Sequence, residues 1–363
     1  MSGMWGSNLK LSIFGESHGK GIGVVIDGLP AGLEIDFDLI DREMRRRAPG
    51  KNKLSTQRKE TDSYDVISGY FNNRTTGTPL CAVIYNRDSE SKDYHRIKNL
   101  LRPSHADYTG YIKYEGFNDY RGGGHFSGRL TAPLVFAGSI AKQILEKKNI
   151  IIGSHILSIG NIQDECFDLV NIEAHTLEKL NIKDFPTINA EKGKEMAELI
   201  EKSRSEGDSV GGIIEAAIVN IQAGLGEPFF DSLESKLSQL IFSIPGVKGI
   251  EFGKGFEITR LKGSQANDQY YIENGEIKTY SNNNGGILGG ITNGMPVVFR
   301  VAVKPTPSIG LKQKTVDIEN MINTEMEIGG RHDPCIVPRA VPVVEAVSAL
   351  AILDLLMEQE DIR

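Results

Sequence analysis

His18, in Gly15-Glu16-Ser17-His18-Gly19, and His125, in Arg121-Gly122-Gly123-Gly124-His125-Phe126-Ser127-Gly128-Arg129, both sit among glycines. Two more histidines have charged neighbours, in Arg102-Pro103-Ser104-His105-Ala106-Asp107-Tyr108 and in Gly330-Arg331-His332-Asp333-Pro334. Glycines let a backbone approach a ligand closely and offer N–H groups to an anion. Arginine forks hold phosphate or carboxylate with paired hydrogen bonds, and imidazoles move protons near neutral pH. The combination suits a compact anion, and segments this far apart in the chain need the whole fold to bring them together.

Other chemistries fit these residues less well. Gly15 to Gly19 formally satisfies the G-x-S-x-G pattern of a serine hydrolase with Ser17 as nucleophile, and Ser17 to Lys20 satisfies S-x-x-K. A nucleophile elbow needs a helix directly after the serine, whereas Gly21-Ile-Gly-Val-Val-Ile-Asp-Gly reads as a strand ending in a turn. A Walker A loop is also absent, because the glycine spacing is too short and Gly21 stands at the Ser/Thr position. A non-catalytic protein that binds a phosphorylated metabolite is the remaining rival. Arg45-Arg46-Arg47 could merely complement a helix dipole, but Lys51, Lys53, Arg58 and Lys59 follow, which makes a loop facing a polyanion. Ser127-Gly128-Arg129 leads into a helix expected near Thr131, a second anion-binding arrangement. Lys304-Pro305-Thr306-Pro307-Ser308 closes a strong strand, Val297 to Val303, with a stiff exit bearing donors. His95, His155 and His175 have no neighbours that mark a site.

The elements that must position these residues fall into two echoing halves, at about 1–150 and 205–363, within one domain spanning 1–363. Gly23 to Leu33 with a helix over Asp38 to Arg47 matches Gly212 to Leu225 with a helix over Asp231 to Phe242. Thr76 to Ile84 matches Asn293 to Val301, and Arg129 to Ala137 matches Arg339 to Ala346. Each half therefore reads strand, helix, strand, helix. Asp231 and Glu234 form a capping-box-like start, while Leu233, Leu237, Leu240 and Ile241 share one face. Val343 to Met357 is apolar on nearly all sides and reads as a buried helix. Asn189 to Ser205 reads as a polar-faced helix, and the segments from Ser281 and from Ser89 to Arg96 read as loops.

Composition narrows the class. The chain has 363 residues, 39% hydrophobic and 25% charged, enough for a large core, and its net charge of −7 lacks the basic surplus that nucleic-acid backbones require. Cys81, Cys166 and Cys335 are far apart, which supports neither a disulfide framework, nor a zinc site, nor any other metal. The start lacks the charged and apolar pattern of a signal peptide, and Ser348 and Asp354 interrupt the most apolar stretch, so a cytoplasmic protein without a membrane span is expected.

Taken together, Gly15-Glu-Ser-His-Gly19 with Asp27-Gly-Leu-Pro, Arg102 to Tyr108, Gly123 to Arg129, Gly285-Gly-Ile-Leu-Gly-Gly, Lys304 to Ser308 and Arg331-His-Asp-Pro-Cys335 resemble the chorismate synthase family, in order from about residue 9 to 355. The resemblance implies an α+β fold, a β-α-β sandwich with an internal pseudo-twofold repeat, assembled as a homotetramer. It implies anti-1,4-elimination of phosphate from 5-enolpyruvylshikimate 3-phosphate to give chorismate, with reduced FMN required and NADPH as a candidate reductant. It implies that His18 protonates the phosphate, that His105 serves the flavin N1 region, and that Asp333 with Ser127 relays a proton near flavin N5. Flavin contacts carry over to His125, Phe126, Ser127, Pro245, Gly246, Gly289, Lys304, Pro305, Thr306, Pro307, Ser308 and Arg331. Substrate contacts carry over to Arg47, Arg129 and Arg339, and NADP contacts to Arg47 and Lys53. The chain departs from the common pattern at Ser104, where glycine is usual, at His125-Phe126, where Arg-Ser is frequent, and at Lys53, which is often arginine.

Overall fold

The computed structural model describes residues 3–50, 61–86, 94, 97–328 and 333–360. Two five-stranded antiparallel sheets face each other across a layer of helices. The first contains β1 (Met4–Trp5), β2 (Lys10–Gly15), β3 (Gly21–Asp27), β4 (Tyr64–Ser68) and β5 (Leu80–Tyr85), in the order β4-β5-β3-β2-β1. The second contains β6 (Ile151–Ile159), β7 (Ile162–Gln163), β8 (Gly212–Val219), β9 (Val247–Phe252) and β10 (Val297–Val303), in the order β9-β10-β8-β6-β7. Between them lie α1 (Phe37–Arg47), α2 (Thr131–Glu146), α3 (Leu233–Ile241) and α4 (Val337–Glu360). These give the α+β sandwich that the family resemblance implied.

The two sheets have the same internal order. β3 and β8 occupy the centre, β5 and β10 flank them, and β4 and β9 lie beyond, with a register shift at Val66/Ser68 in one edge pair and at Val247/Gly249 in the other. α1 and α3 follow the central strands, and α2 and α4 follow the flanking ones, so the pseudo-repeat is a property of the topology. The second sheet, however, takes in β6, which starts at Ile151 rather than at about 205. An inserted pair of helices, Ala174–Asn181 and Ala190–Ser205, separates β6 from β8.

Patterning explains which faces are covered. In β5, Leu80, Ala82 and Ile84 point inward and alternate with less buried residues, as expected for a sheet packed on one face. Every residue of β6 is buried, because helices lie on both its faces and Leu177 and Leu180 of the inserted helix seal the outer one. α2 and α4 cross where Gly138 meets Ala346: a Cβ at Gly138 would come within 2.4 Å of the Ala346 Cβ. α4 is long and apolar enough to cross a membrane, but 94% of its most apolar window is buried in the molecule, which makes it the central core helix.

Two helix boundaries differ from the sequence expectation for local reasons. α3 begins at Leu233 because Ser232 is extended and its hydroxyl accepts the Ser235 N–H, while Asp231 closes a preceding 3₁₀ turn. α4 starts at Val337, six residues early, and runs through Pro342, which leaves the Pro338 carbonyl without its usual helical donor. α1 begins at Phe37, capped by Asp36, whose side chain accepts the Leu39 N–H.

Candidate active site

At one end of the helix layer, where α1 and α3 finish and α2 and α4 begin, lies a cavity of about 880 Å³. Both halves contribute to it in the same way. Arg47 comes from the end of α1 and Pro245 and Gly246 from just beyond α3, while Arg129 and Arg339 come from the equivalent starts of α2 and α4.

His18 is 5% exposed in the turn after β2, with Nδ1 3.1 Å from the Ser17 hydroxyl and its ring edge-on to Tyr94 at 5.0 Å. The glycine run of residues 122–124 makes room for it. Gly122 has φ +63°, and a Cβ there would lie 2.3 Å from the His18 ring. The Gly15–Gly19 turn leads into β3 rather than a helix, so the context of a nucleophile elbow is absent around Ser17.

His105 follows Ser104, whose φ of +59° is the left-handed conformation that favours glycine and accounts physically for glycine being usual there. The turn is held by Arg102, which makes a two-pronged pair with Asp107 at 2.6 and 2.8 Å, and by Lys304, whose ammonium donates to the Ser104 carbonyl at 2.7 Å. His105 Nε2 then lies 2.7 Å from the Ser308 hydroxyl. Burial, with the neighbouring Lys248 charge, lowers the Lys304 pKa. The Lys304 N–H donates to the Gly246 carbonyl at 2.9 Å, which ties the segment 304–308 to the turn after α3.

The arginines are braced. Asp62, only 3% exposed, accepts from Arg47 Nη1 and Arg129 Nη1, each at 2.7 Å, and Arg129 Nε donates to Asn86 at 2.6 Å. Arg339 donates through Nε to the Arg47 carbonyl at 3.0 Å and pairs with Asp333 at 2.5 Å. Asp119 is held below the usual carboxylate range by its hydrogen bonds from Arg121. Ser127 accepts the Arg129 N–H at 3.2 Å, and His125 Nδ1 lies 2.9 Å from the Gly15 carbonyl. Phe126 sits on the cavity wall near Tyr114, with ring centroids 6.2 Å apart.

His18, His105, Asp333, Ser127, the segment 304–308, Pro245, Gly246, His125, Phe126 and the three arginines 47, 129 and 339 all line this one cavity. Gly289 does not. It lies in the turn between Ile287–Leu288 and Ile291–Thr292, next to Gly290, whose carbonyl accepts the Leu233 N–H at the start of α3. The far end of that nine-residue helix lines the cavity, placing Gly289 on the order of 12 Å away along the axis. Lys53 and Arg331, with Lys51, Arg58, Lys59 and His332, fall outside the described residues. Sequence reasoning included Asp107 in the Arg102 to Tyr108 motif without a role, and did not single out Asp62, Asn86, Asp119 or Tyr94. The signal for Asp62 was an acidic residue three positions beyond Lys59, the last basic residue of the loop.

A family model described as chorismate synthase matches residues 9–357. The chain belongs to the chorismate synthase family. Among curated chorismate synthases, that of Dehalococcoides mccartyi is 48% identical over 357 residues, covering 98% of this chain and 96% of the relative. That of Thermococcus gammatolerans is 47% identical over 358 residues, covering 98% of each. A solved structure described as a crystal structure of chorismate synthase superposes with a TM-score of 0.77 at 31% identity, covering 98% of this chain and 93% of the other. As a chorismate synthase family member the chain is a carbon–oxygen lyase of aromatic amino-acid biosynthesis, eliminating phosphate from 5-enolpyruvylshikimate 3-phosphate to form chorismate.

Proposed function

We propose that the cavity binds this substrate beside reduced FMN and that the residues on its wall divide the elimination between them. The observation that carries the reading is the convergence of Arg47, Arg129 and Arg339 with His18 and His105 on one cavity in an otherwise acidic chain. A substrate with a phosphate and two carboxylates needs several guanidinium forks to hold and orient it, and these three arginines meet that need.

The residues present fit a flavin. The cavity is near the upper end of the usual range for small-molecule sites, with room for a cofactor and a ring-sized substrate together. The segment 304–308 offers an ammonium and hydroxyls on a stiff, proline-bounded backbone, and Phe126 and Tyr114 supply aromatic surface. Lys304 to Ser308, Pro245, Gly246 and His125 to Ser127 would hold the cofactor. Reduced FMN held there would supply an electron-rich ring system to the elimination, with no net change of oxidation level.

The rest belongs to the chain's own residues. His18 donates a proton to the departing phosphate as the C–O bond breaks. Asp333 and Ser127 relay the proton lost from the opposite face of the ring. His105, kept in place by Ser308 and the Arg102–Asp107 clamp, serves the N1 edge of the cofactor. Arg47 with Lys53 is the contact for NADPH, where that nucleotide is the reductant. The working unit is a homotetramer, with the whole chain acting as one domain in the cytoplasm.

An anaerobic assay with the phosphorylated enolpyruvyl substrate and FMN reduced chemically at a small fraction of the substrate concentration tests this. Many turnovers per flavin are expected, since substrate and product share an oxidation level. Equal rates with oxidised FMN or with none would end the claim.

A further inference from the structure

Asp62 lies behind the cavity wall, and its carboxylate is divided between two cavity arginines, one oxygen 2.7 Å from Arg47 and the other 2.7 Å from Arg129. The side chains of all three are at most 6% exposed. The backbone of Asp62 is left-handed, with φ +51°, a conformation tolerated by aspartate at some cost. The surrounding fold therefore imposes this carboxylate on the arginine pair.

We infer that Asp62 is a built-in counter-anion, a positioning residue that sets the spacing of Arg47 and Arg129 and weakens their grip on anions, so that the phosphate product can leave. This rests on the reading of the cavity as the substrate's anion site. Two buried guanidiniums without Asp62 would present two unit charges to a multiply charged ligand, a trap for the phosphate released at each turnover. Asp62 cancels one of those two unit charges. A carboxylate touching the same guanidiniums as a bound anion repels that anion at short range, in surroundings that screen charge poorly. The arginines also have other anchors. Arg129 keeps its bond to Asn86, and the Arg47 backbone is held by Arg339. Removing the charge should therefore strengthen anion binding, whereas removing a mere strut would loosen the arginines and weaken it.

The test uses Asp62→Asn and Asp62→Gly in the full chain, since both replacements accept a positive φ. Binding of inorganic phosphate is followed by calorimetry without flavin. Both variants should bind phosphate at least about tenfold more tightly than the native chain, the scale expected for deleting one nearby buried charge. Phosphate should also inhibit chorismate formation at correspondingly lower concentration. Unchanged or weaker phosphate binding in whichever variant retains a native melting transition overturns the inference, as does undetectable binding in the native chain and in both variants. Chorismate formation by the native chain, assayed in the same preparations, separates the two readings. Turnover without tighter phosphate binding leaves the proposed function standing and removes the role of Asp62. Tighter binding without native turnover does the reverse.

Discussion

The His18 seat shows how little freedom a side chain proposed as a general acid has when a glycine run packs against it. Three elements meet at its ring: the turn after β2, the 122–124 glycine run and Tyr94. Gly122→Ala should move the His18 ring without touching its chemistry, because the new methyl would stand 2.3 Å from it at a backbone angle alanine dislikes. The expected result is a fall in kcat of at least about tenfold, within the range of losing a general acid, with a melting temperature lowered by a few degrees. Normal turnover would show that the ring position is not critical. His18 and Arg129 were legible as candidates because they stand in irregular, glycine-bearing stretches, His105 because of its charged neighbours, and Arg47 and Arg339 through the basic run and the repeat. Of their carboxylate partners, Asp333 was already a candidate, but the pairing of the others was not legible. Asp62 in Thr61-Asp62-Ser63 looks like an ordinary surface residue until the fold points it at two buried guanidiniums, and Asp107 stands in the Arg102 to Tyr108 motif with nothing in the sequence to mark its pairing with Arg102.

At the scale of elements, burial turns single charges into clusters that lock elements together. Of the three consecutive arginines ending α1, only Arg47 reaches the cavity. Arg46 turns into the core, where with Lys142 it neutralises Glu43 and Glu345, tying α1, α2 and α4 together, while Arg45 faces solvent. Burial opposes ionisation of Glu345, but the Arg46 and Lys142 charges outweigh it and hold its carboxyl down at about 2. A second cluster locks β6 to β8. Here burial opposes charge on His155, yet hydrogen bonds to Asp164 and Glu215 raise its pKa, and the same bonds hold both carboxyls low against burial. A histidine whose folded pKa is raised stabilises fully below the unfolded value of about 6.5 and loses that contribution as pH rises through the folded one. The carboxylates act oppositely, losing theirs as pH falls below about 4. The melting temperature of the native chain should therefore decline on the alkaline side, and His155→Gln should flatten that decline. Parallel curves would remove the cluster from the account. The sequence offered His155 as an unmarked residue, because neither carboxylate is near it in the chain. Helix cores were legible from periodicity, but α3 and α4 began where a serine cap and a proline-bearing first turn placed them, which periodicity does not register.

For the whole molecule, the repeat explains why one cavity draws on the entire chain. Equivalent helix starts bring Arg129 and Arg339 to the same space from opposite halves, and the echo of Arg129 to Ala137 in Arg339 to Ala346 was visible in the sequence. The place of β6 was not visible, since the inserted helices separate it from β8 and conceal its kinship with β2. Arg339 also joins the halves directly through the Arg47 carbonyl, so its loss could act either on substrate or on the union of the halves. The side chain is 21% exposed and leaves its Asp333 partner within reach of water, which limits the structural cost. In the proposed site its guanidinium is one of three facing a substrate with three anionic groups, and a charged hydrogen bond lost there is worth about 1.5–3 kcal/mol. Arg339→Ala should accordingly raise KM at least about tenfold while the melting temperature falls by only a few degrees, and Arg339→Lys, which keeps the charge but not the fork, should lie between. A collapsed melting temperature with unchanged KM would instead make Arg339 a strut between the halves, and the anion site would then have to be built from Arg47 and Arg129 alone.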